Sequence, residues 1–427
     1  MMNAFVHNMT RALRYDFSTL LGPYIAVPSV VGLGVGIAVT RDAPYLGEAM
    51  WTVRWFALSL FLIVPVCCAA AAIDASRLSQ VHANHLILVS QRRSVISLRA
   101  AGITAGFATL AYVLLVGSVL LIGGDLSPRP GWGPIVLALL AQVSVIIWFV
   151  AFGSAIGRYL GVFASGAVGA IAGFGLYQLL GGASLLAPKF SIMGDSGASV
   201  SQIGLTWNVA HLVIQSAILL STAVMLMVVR SSNIAGRLVP GVMAVVTFVG
   251  VGALLIGANT FVPGEPLVQR PERPDECWAL SDDGDTLACY YPEHAKYAED
   301  LLPPLIQLYD AAQQHGYSGF VFDGFEETSR SYEPEPGSGI APLPTFDYET
   351  TFDTSFVEEM LMPTHCPAIY ADTAPPERYF RDLEASAMTW LSISGITDPN
   401  LPELSADEVL SPDEVSGIMG RWTTCDL

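Results

Sequence analysis

The residues whose types and spacing could do chemistry lie in the last 166 positions, where Cys277, Cys289, Cys366 and Cys425 share the chain with His294, His315 and His365. Thiols and imidazoles can ligate a metal, act as nucleophiles or, for the thiols, pair. No C-x-x-C spacing is present, which favours disulfides over a metal site; the metal site stands as the alternative for these four cysteines. The run Ser281-Asp-Asp-Gly-Asp285 offers a turn centred on Asp283, which sets Cys277 opposite Cys289 across a hairpin. Pairing Cys277 with Cys289 leaves Cys366 with Cys425 by elimination, one of the three connectivities open to four cysteines. The histidines are isolated in sequence and read as surface or satisfied side chains.

The other motifs are mostly missing. There is no H-E-x-x-H helix, and the two lysines, Lys189 and Lys296, do not belong to a G-x-x-x-x-G-K-[ST] phosphate loop. Gly194-Asp-Ser-Gly197 matches the tetrapeptide around the nucleophile of chymotrypsin-like proteases, but it falls between two apolar runs with no β-barrel to hold a His and an Asp. Asp282-Asp-Gly-Asp285 lacks the glutamate that closes a calcium loop and reads as a turn. No catalytic residue, cofactor site or metal-ligand set is expected, and the chain is not expected to be an enzyme by itself.

The elements that would carry these groups divide at Leu238–Phe261, 24 residues without a charge. Positions 1–261 hold 13 Lys and Arg against 6 Asp and Glu, whereas 262–427 hold 7 against 32. So acidic a segment is a poor partner for nucleic acid or anionic lipid. It is long enough for one globular domain. Pro263, Pro266, Pro271 and Pro274 mark a linker over 262–276, followed by an α+β domain over 277–427. That domain shows helical spacing in Pro292–Gly316, a helix opening at Pro375, a capping box at Ser411–Glu414, a short strand at Phe320–Phe322 and a mobile loop over Thr328–Phe346.

Before the division, residues 1–19 read as an interfacial amphipathic helix, with no signal-peptide cleavage pattern. Apolar runs at about 20–40, 55–73, 103–123, 135–156, 160–180, 209–229 and 238–261 predict a polytopic α-helical membrane protein of about seven spans. With the N-terminus cytoplasmic, the inner segments carry nine Arg and the outer ones four Arg or Lys. The acidic domain is then extracytoplasmic, where disulfides form. The Gly32-Leu-Gly-Val-Gly36 cluster predicts close helix packing rather than a nucleotide loop, and Cys67 and Cys68 read as inert packing residues. No predicted span has an acid near its midpoint, which argues against ion-coupled transport. Gln142, Ser144, His211 and Gln215 read as interhelical hydrogen-bonding groups.

The longest inner connection, Asp74 to Arg99, combines an apolar patch (Leu78, Val81, Leu86, Val89) with a basic end at Arg92-Arg93, suited either to another protein or to lipid headgroups. Together, the interfacial helix, two spans, this segment ending near Gln91-Arg-Arg93, three more spans with an Arg158 turn, an outer loop and a sixth span resemble the membrane subunit of type-2 ABC exporters. Particularly similar are actinobacterial permease-like proteins with an added span and an outer domain that contains a segment like Cys289-Tyr-Tyr-Pro-Glu-His294. The resemblance implies a separate ABC ATPase subunit, a homo- or heterodimer in the membrane, and a coupling segment that includes Arg77, Leu78, Val81, Arg92 and Arg93. The seventh span and the acidic domain depart from the exporter pattern. A non-transporting membrane protein whose outer domain binds an extracellular or cell-wall ligand is the alternative expectation.

Overall fold

A computed structural model describes residues 20–39, 45–79, 93–123, 131–178, 201–228, 246, 249–254, 257, 261–270, 272–281, 284–335, 337–344, 352–366, 369, 377–396 and 408–426. The predicted interfacial helix and most of the predicted seventh span lie outside them. The chain divides into two compact units: residues 1–199 with 206–268, and 200–205 with 269–427.

The first unit is helical. Its described helices are α1 (Gly22–Ala38), α2 (Ala49–Ala57), α3 (Leu60–Ser79), α4 (Arg93–Ile122), α5 (Trp132–Gly157), α6 (Val162–Tyr177) and, after the short strand β1 (Leu205–Trp207), α7 (Val209–Val228). Four of them are long and apolar enough to cross a membrane: α3, α4 from Leu98, α5, and α7 to Met227. The predicted first and fifth spans are apolar helices of 17 and 16 residues, so about seven spans exceeds what the described residues meet by length. The predicted second span is displaced: α2 covers its start, and α3 runs on to Ser79.

Helix α3 lies at the centre, packed by α1, α4, α5 and α6. What lets the helices approach is missing side chains. On α5, Gly153 and Gly157 face α3 so closely that an added Cβ would lie 2.1 Å from the Cys68 carbonyl oxygen and 2.2 Å from that of Ala72. On α6, Gly169 and Gly173 press the same stretch of α3, with an added Cβ 2.9 Å from the Ala72 Cβ and 3.0 Å from the Cys68 Cβ. These are small-xxx-small pairs, the packing device of helices that have no hydrophobic drive toward one another in lipid. Of the Gly32–Gly36 cluster, only Gly34 is used this way, against Leu115; Gly32 and Gly36 face open space among the described residues. Polar links add to the packing. Gln142 Nε2 donates to the Val53 carbonyl at 2.9 Å and its Oε1 accepts from the Tyr112 hydroxyl at 2.9 Å, as expected for an interhelical group. Ser144 instead bonds the Ala141 carbonyl of its own helix, His211 Nδ1 meets the Pro263 carbonyl at 3.2 Å, and Gln215 Oε1 is buried with no hydrogen bond among the described residues.

The second unit is built on a four-stranded sheet in the order β3 (Glu276–Ala279), β4 (Leu287–Tyr290), β5 (Gly324–Glu327), β6 (Ile340–Leu343). Strand β2 (Leu267–Gln269) pairs with β1 in a separate sheet. The β3–β4 pair is the expected hairpin, with a turn closed by the Gly284 amide on the Ser281 carbonyl and Gly284 at φ 75°. β4 and β5 are parallel, joined through α8 (Ala298–Gln314), and β5 and β6 are also parallel, joined by residues 328–339. A parallel return needs about a dozen residues, and that connection supplies them without a helix. Two expectations are corrected here. Phe320–Phe322 is not a strand: Ser318–Phe320 forms a 3-10 turn. Thr328–Phe346 is not simply a mobile loop, because it contains β6, whose Pro342 is tolerated on an edge strand where no ladder donor is needed.

Helices α9 (Thr354–Leu361), α10 (Glu377–Ser394) and α11 (Pro412–Thr423) complete the unit. Ser411 and Glu414 form the expected capping box on α11. Asp353 caps α9 by accepting from the Phe356 amide. The core centres on Trp390, which stacks on Phe320 at 4.8 Å and donates its indole N–H to the Leu308 carbonyl at 2.9 Å. Burying such a ring with its N–H satisfied is what fixes α10 against α8.

Candidate functional site

Both predicted disulfides form. Cys277 and Cys289 are register partners in the hairpin, with Cα atoms 4.0 Å apart, and Cys366 and Cys425 pair across 59 residues at 5.4 Å. His365 lies beside the second pair, with all three potential ligand atoms within 4.8 Å. Both sulfurs are committed to the S–S bond and offer no thiolate, so this cluster does not fit a metal in its oxidised form. Cys67 and Cys68 are buried free thiols, as expected of packing residues.

One expectation about the histidines is corrected. His294 is not isolated: it is 2% exposed and its Nδ1 meets the carboxylate of Glu327, itself 0% exposed. The other carboxylate oxygen accepts from the Tyr291 amide at 2.9 Å. This buried pair ties the chain just after β4 to the last residue of β5. No local sequence signal announces it, because the partners are 33 positions apart.

Among its described residues the second unit has a cleft of about 620 Å³. Its floor is apolar: Phe322, the β6 residues Ile340 and Ala341, Met360 and Leu361 at the end of α9, and Met419 and Trp422 on α11. Its rim carries Glu333 and Glu335, both exposed, with His365 on the lining. Glycines shape the entry to β6. Gly339 has φ 78°, and a Cβ there would meet the Asp323 carboxylate at 2.1 Å, so β6 can hydrogen-bond through the Gly339 carbonyl only with glycine at that point. The field beside the rim is negative. Burial, a hydrogen bond to Glu326 and the charges of Glu326 and Glu335 push the Tyr332 phenol up to about 12, against the opposing pull of Arg273. The volume falls in the range of small-molecule sites, which are mostly apolar with a few polar groups. Sequence reading missed this cleft because its walls come from four separated segments.

In the first unit, the predicted coupling residues fall at and beyond the end of α3. Arg77 and Leu78 are in its last turn; Val81 and Arg92 lie outside the described residues; Arg93 opens α4. Three residues before Arg77, the carboxylate of Asp74 is buried and accepts from the Leu21 amide at 2.9 Å and the Gly22 amide at 2.6 Å. It thereby caps α1 from another helix, where the helix dipole favours an anion. Arg77 stands 3.7 Å from the same carboxylate. Gly22 is required here, since a Cβ would lie 2.7 Å from Asp74 Oδ2 and 2.2 Å from Thr104 Oγ1 of α4. The start of α1 and the end of α3 thus meet at one carboxylate, with Thr104 of α4 packed against Gly22. At the Arg158 turn, the guanidinium donates to the Met227 carbonyl at 3.1 Å, joining the end of α5 to the end of α7.

These features define a helical membrane protein that also carries an acidic, disulfide-stapled α/β unit; the disulfides fit an oxidising compartment outside the cytoplasm. Comparison with family models, curated proteins and solved structures finds no match for the chain.

Proposed function

We propose that this chain is the permease-like membrane subunit of an ABC-type exporter, working with a separate ATPase subunit and assembled as a dimer in the membrane. In this reading the chain crosses about seven times, with its N-terminus cytoplasmic and its acidic unit extracytoplasmic. The observation that carries it is the Asp74 junction. A force applied to the segment after Ser79 acts on the end of α3 and, through the two hydrogen bonds to Leu21 and Gly22, on the start of α1. A coupling segment needs such a rigid connection to the helices that would move.

The test is affinity purification of the tagged chain from native membranes, comparing wild type with Arg92→Glu/Arg93→Glu. Recovery of a P-loop ATPase with wild type, and its loss with the charge reversal, supports the reading. Recovery of no ATPase under gentle detergent overturns it. The second reading, a non-transporting protein whose outer unit binds a ligand, is favoured by the cleft beside β6 and would then take precedence.

A further inference from the structure

We propose that the cleft of the acidic unit binds a small amphiphilic organic cation, its apolar body on the Met360, Met419 and Trp422 floor and its ammonium or guanidinium group at the Glu333 and Glu335 rim. The inference is independent of the exporter reading, since it concerns only this unit. Three observations lead to it. The volume, about 620 Å³, suits a small molecule rather than a folded partner. The floor offers two methionines, whose flexible, polarizable side chains adapt to varied apolar shapes, beside the apolar ring of Trp422. Glu333 and Glu335 put negative charge at the rim, in a segment that holds 32 acidic and 7 basic residues.

The strand beside the cleft argues against an extended peptide as occupant. The carbonyls of Gly339, just before β6, and of Leu343 accept from the Asp323 and Thr328 amides, so the alternation of a strand turns the backbone of Ile340 and Pro342 to the edge that no described strand pairs. Pro342 has no N–H, and the Ile340 amide is directed to the Ser338 hydroxyl at 3.4 Å. That edge presents acceptors without the alternating donors that strand addition uses. Acceptor carbonyls and carboxylates together suit a donor-rich cation.

The test uses the full chain in nanodiscs of zwitterionic lipid and three fluorescent probes with one dansyl body: dansylcadaverine (cationic), N-butyl dansylamide (neutral) and dansylglycine (anionic). Empty nanodiscs give the lipid background. Saturable, blue-shifted binding is expected in the order cation, neutral, anion, with the cation's affinity falling as salt rises. Glu333→Gln/Glu335→Gln changes exposed side chains only; it is expected to weaken the cation about five- to tenfold and leave the neutral probe unchanged. Gly420→Trp fills the cleft from a helical position with open space at its Cβ and should abolish binding of all three. Equal binding of the three probes, cation binding unaltered by the double variant, or binding retained by Gly420→Trp would each overturn the proposal. Correct folding of the variants is read from retention of both disulfides.

Discussion

At Gly153 the membrane unit brings two helix backbones so close that a Cβ would lie 2.1 Å from the Cys68 carbonyl, whereas in the acidic unit α8 and α10 meet across Trp390 stacked on Phe320. The difference follows from the solvent each unit is built for. Helices in lipid gain nothing by burying more apolar surface, so they gain contact by removing side chains and sharing a few hydrogen bonds, as Gln142 does with Tyr112 and Val53. A water-soluble unit with so much negative charge must instead bury large rings and close long loops covalently.

If the acidic unit depends on its covalent closures, removing the longer one should give the largest effect. Cys366→Ser/Cys425→Ser opens a 59-residue loop and should cost about 4 kcal/mol, against about 3 kcal/mol for the 12-residue loop of Cys277–Cys289. Hydrogen exchange of the full chain with and without reductant measures both, and amides of α3 and α5 should be unaffected. The comparison breaks if reduction loosens the helices equally.

His294→Ala comes next, at about 3 kcal/mol, because it leaves the Glu327 carboxylate buried without its imidazole. Thermal unfolding followed by tryptophan fluorescence should show the loss in the acidic unit only.

In the membrane unit the informative pair is Gly153→Ala with Gly36→Ala. The first forces α5 away from α3 and should cost about 2 kcal/mol; the second places its methyl in open space and should be neutral or slightly stabilising through helix propensity. Unfolding in mixed micelles distinguishes them, and equal effects would remove the packing argument.

The smallest effect concerns Glu358. Burial, with the charges of Glu384 and Asp353, raises its carboxyl above the ordinary 4.5. A carboxyl with a raised folded-state value favours folding below its unfolded value and loses that contribution as pH rises through the folded one. Glu358→Gln should therefore raise the unfolding temperature slightly at pH 7 and have no such effect near pH 3.

Much of this architecture is readable along the chain because it is local. The charge asymmetry about Leu238–Phe261, the apolar runs, the hairpin around Gly284 and the Ser411–Glu414 capping box each involve residues within a few turns of one another, where spacing alone constrains geometry. The β6 strand was masked by composition: Gly, Ser, Pro and Glu around Ile340–Leu343 signal a loop, yet an edge strand tolerates proline and needs only one partner. Four-residue glycine spacing at Gly153 and Gly157 is visible in the sequence, but that it grips Cys68 and Ala72 is not.

What the amino-acid sequence determined by itself is a membrane-embedded helical part, a separate acidic part, and the cysteines that staple it. The tertiary structure alone decided which polar groups meet. Asp74 reaches the amides of Leu21 and Gly22 across some fifty residues, His294 reaches Glu327 across 33, and the cleft draws its floor and rim from α9, α11, β6 and the turns between. Such contacts depend on how helices and strands pack. No periodicity in the chain encodes them, because loop closure lets almost any two segments meet and only burial selects the pair that does.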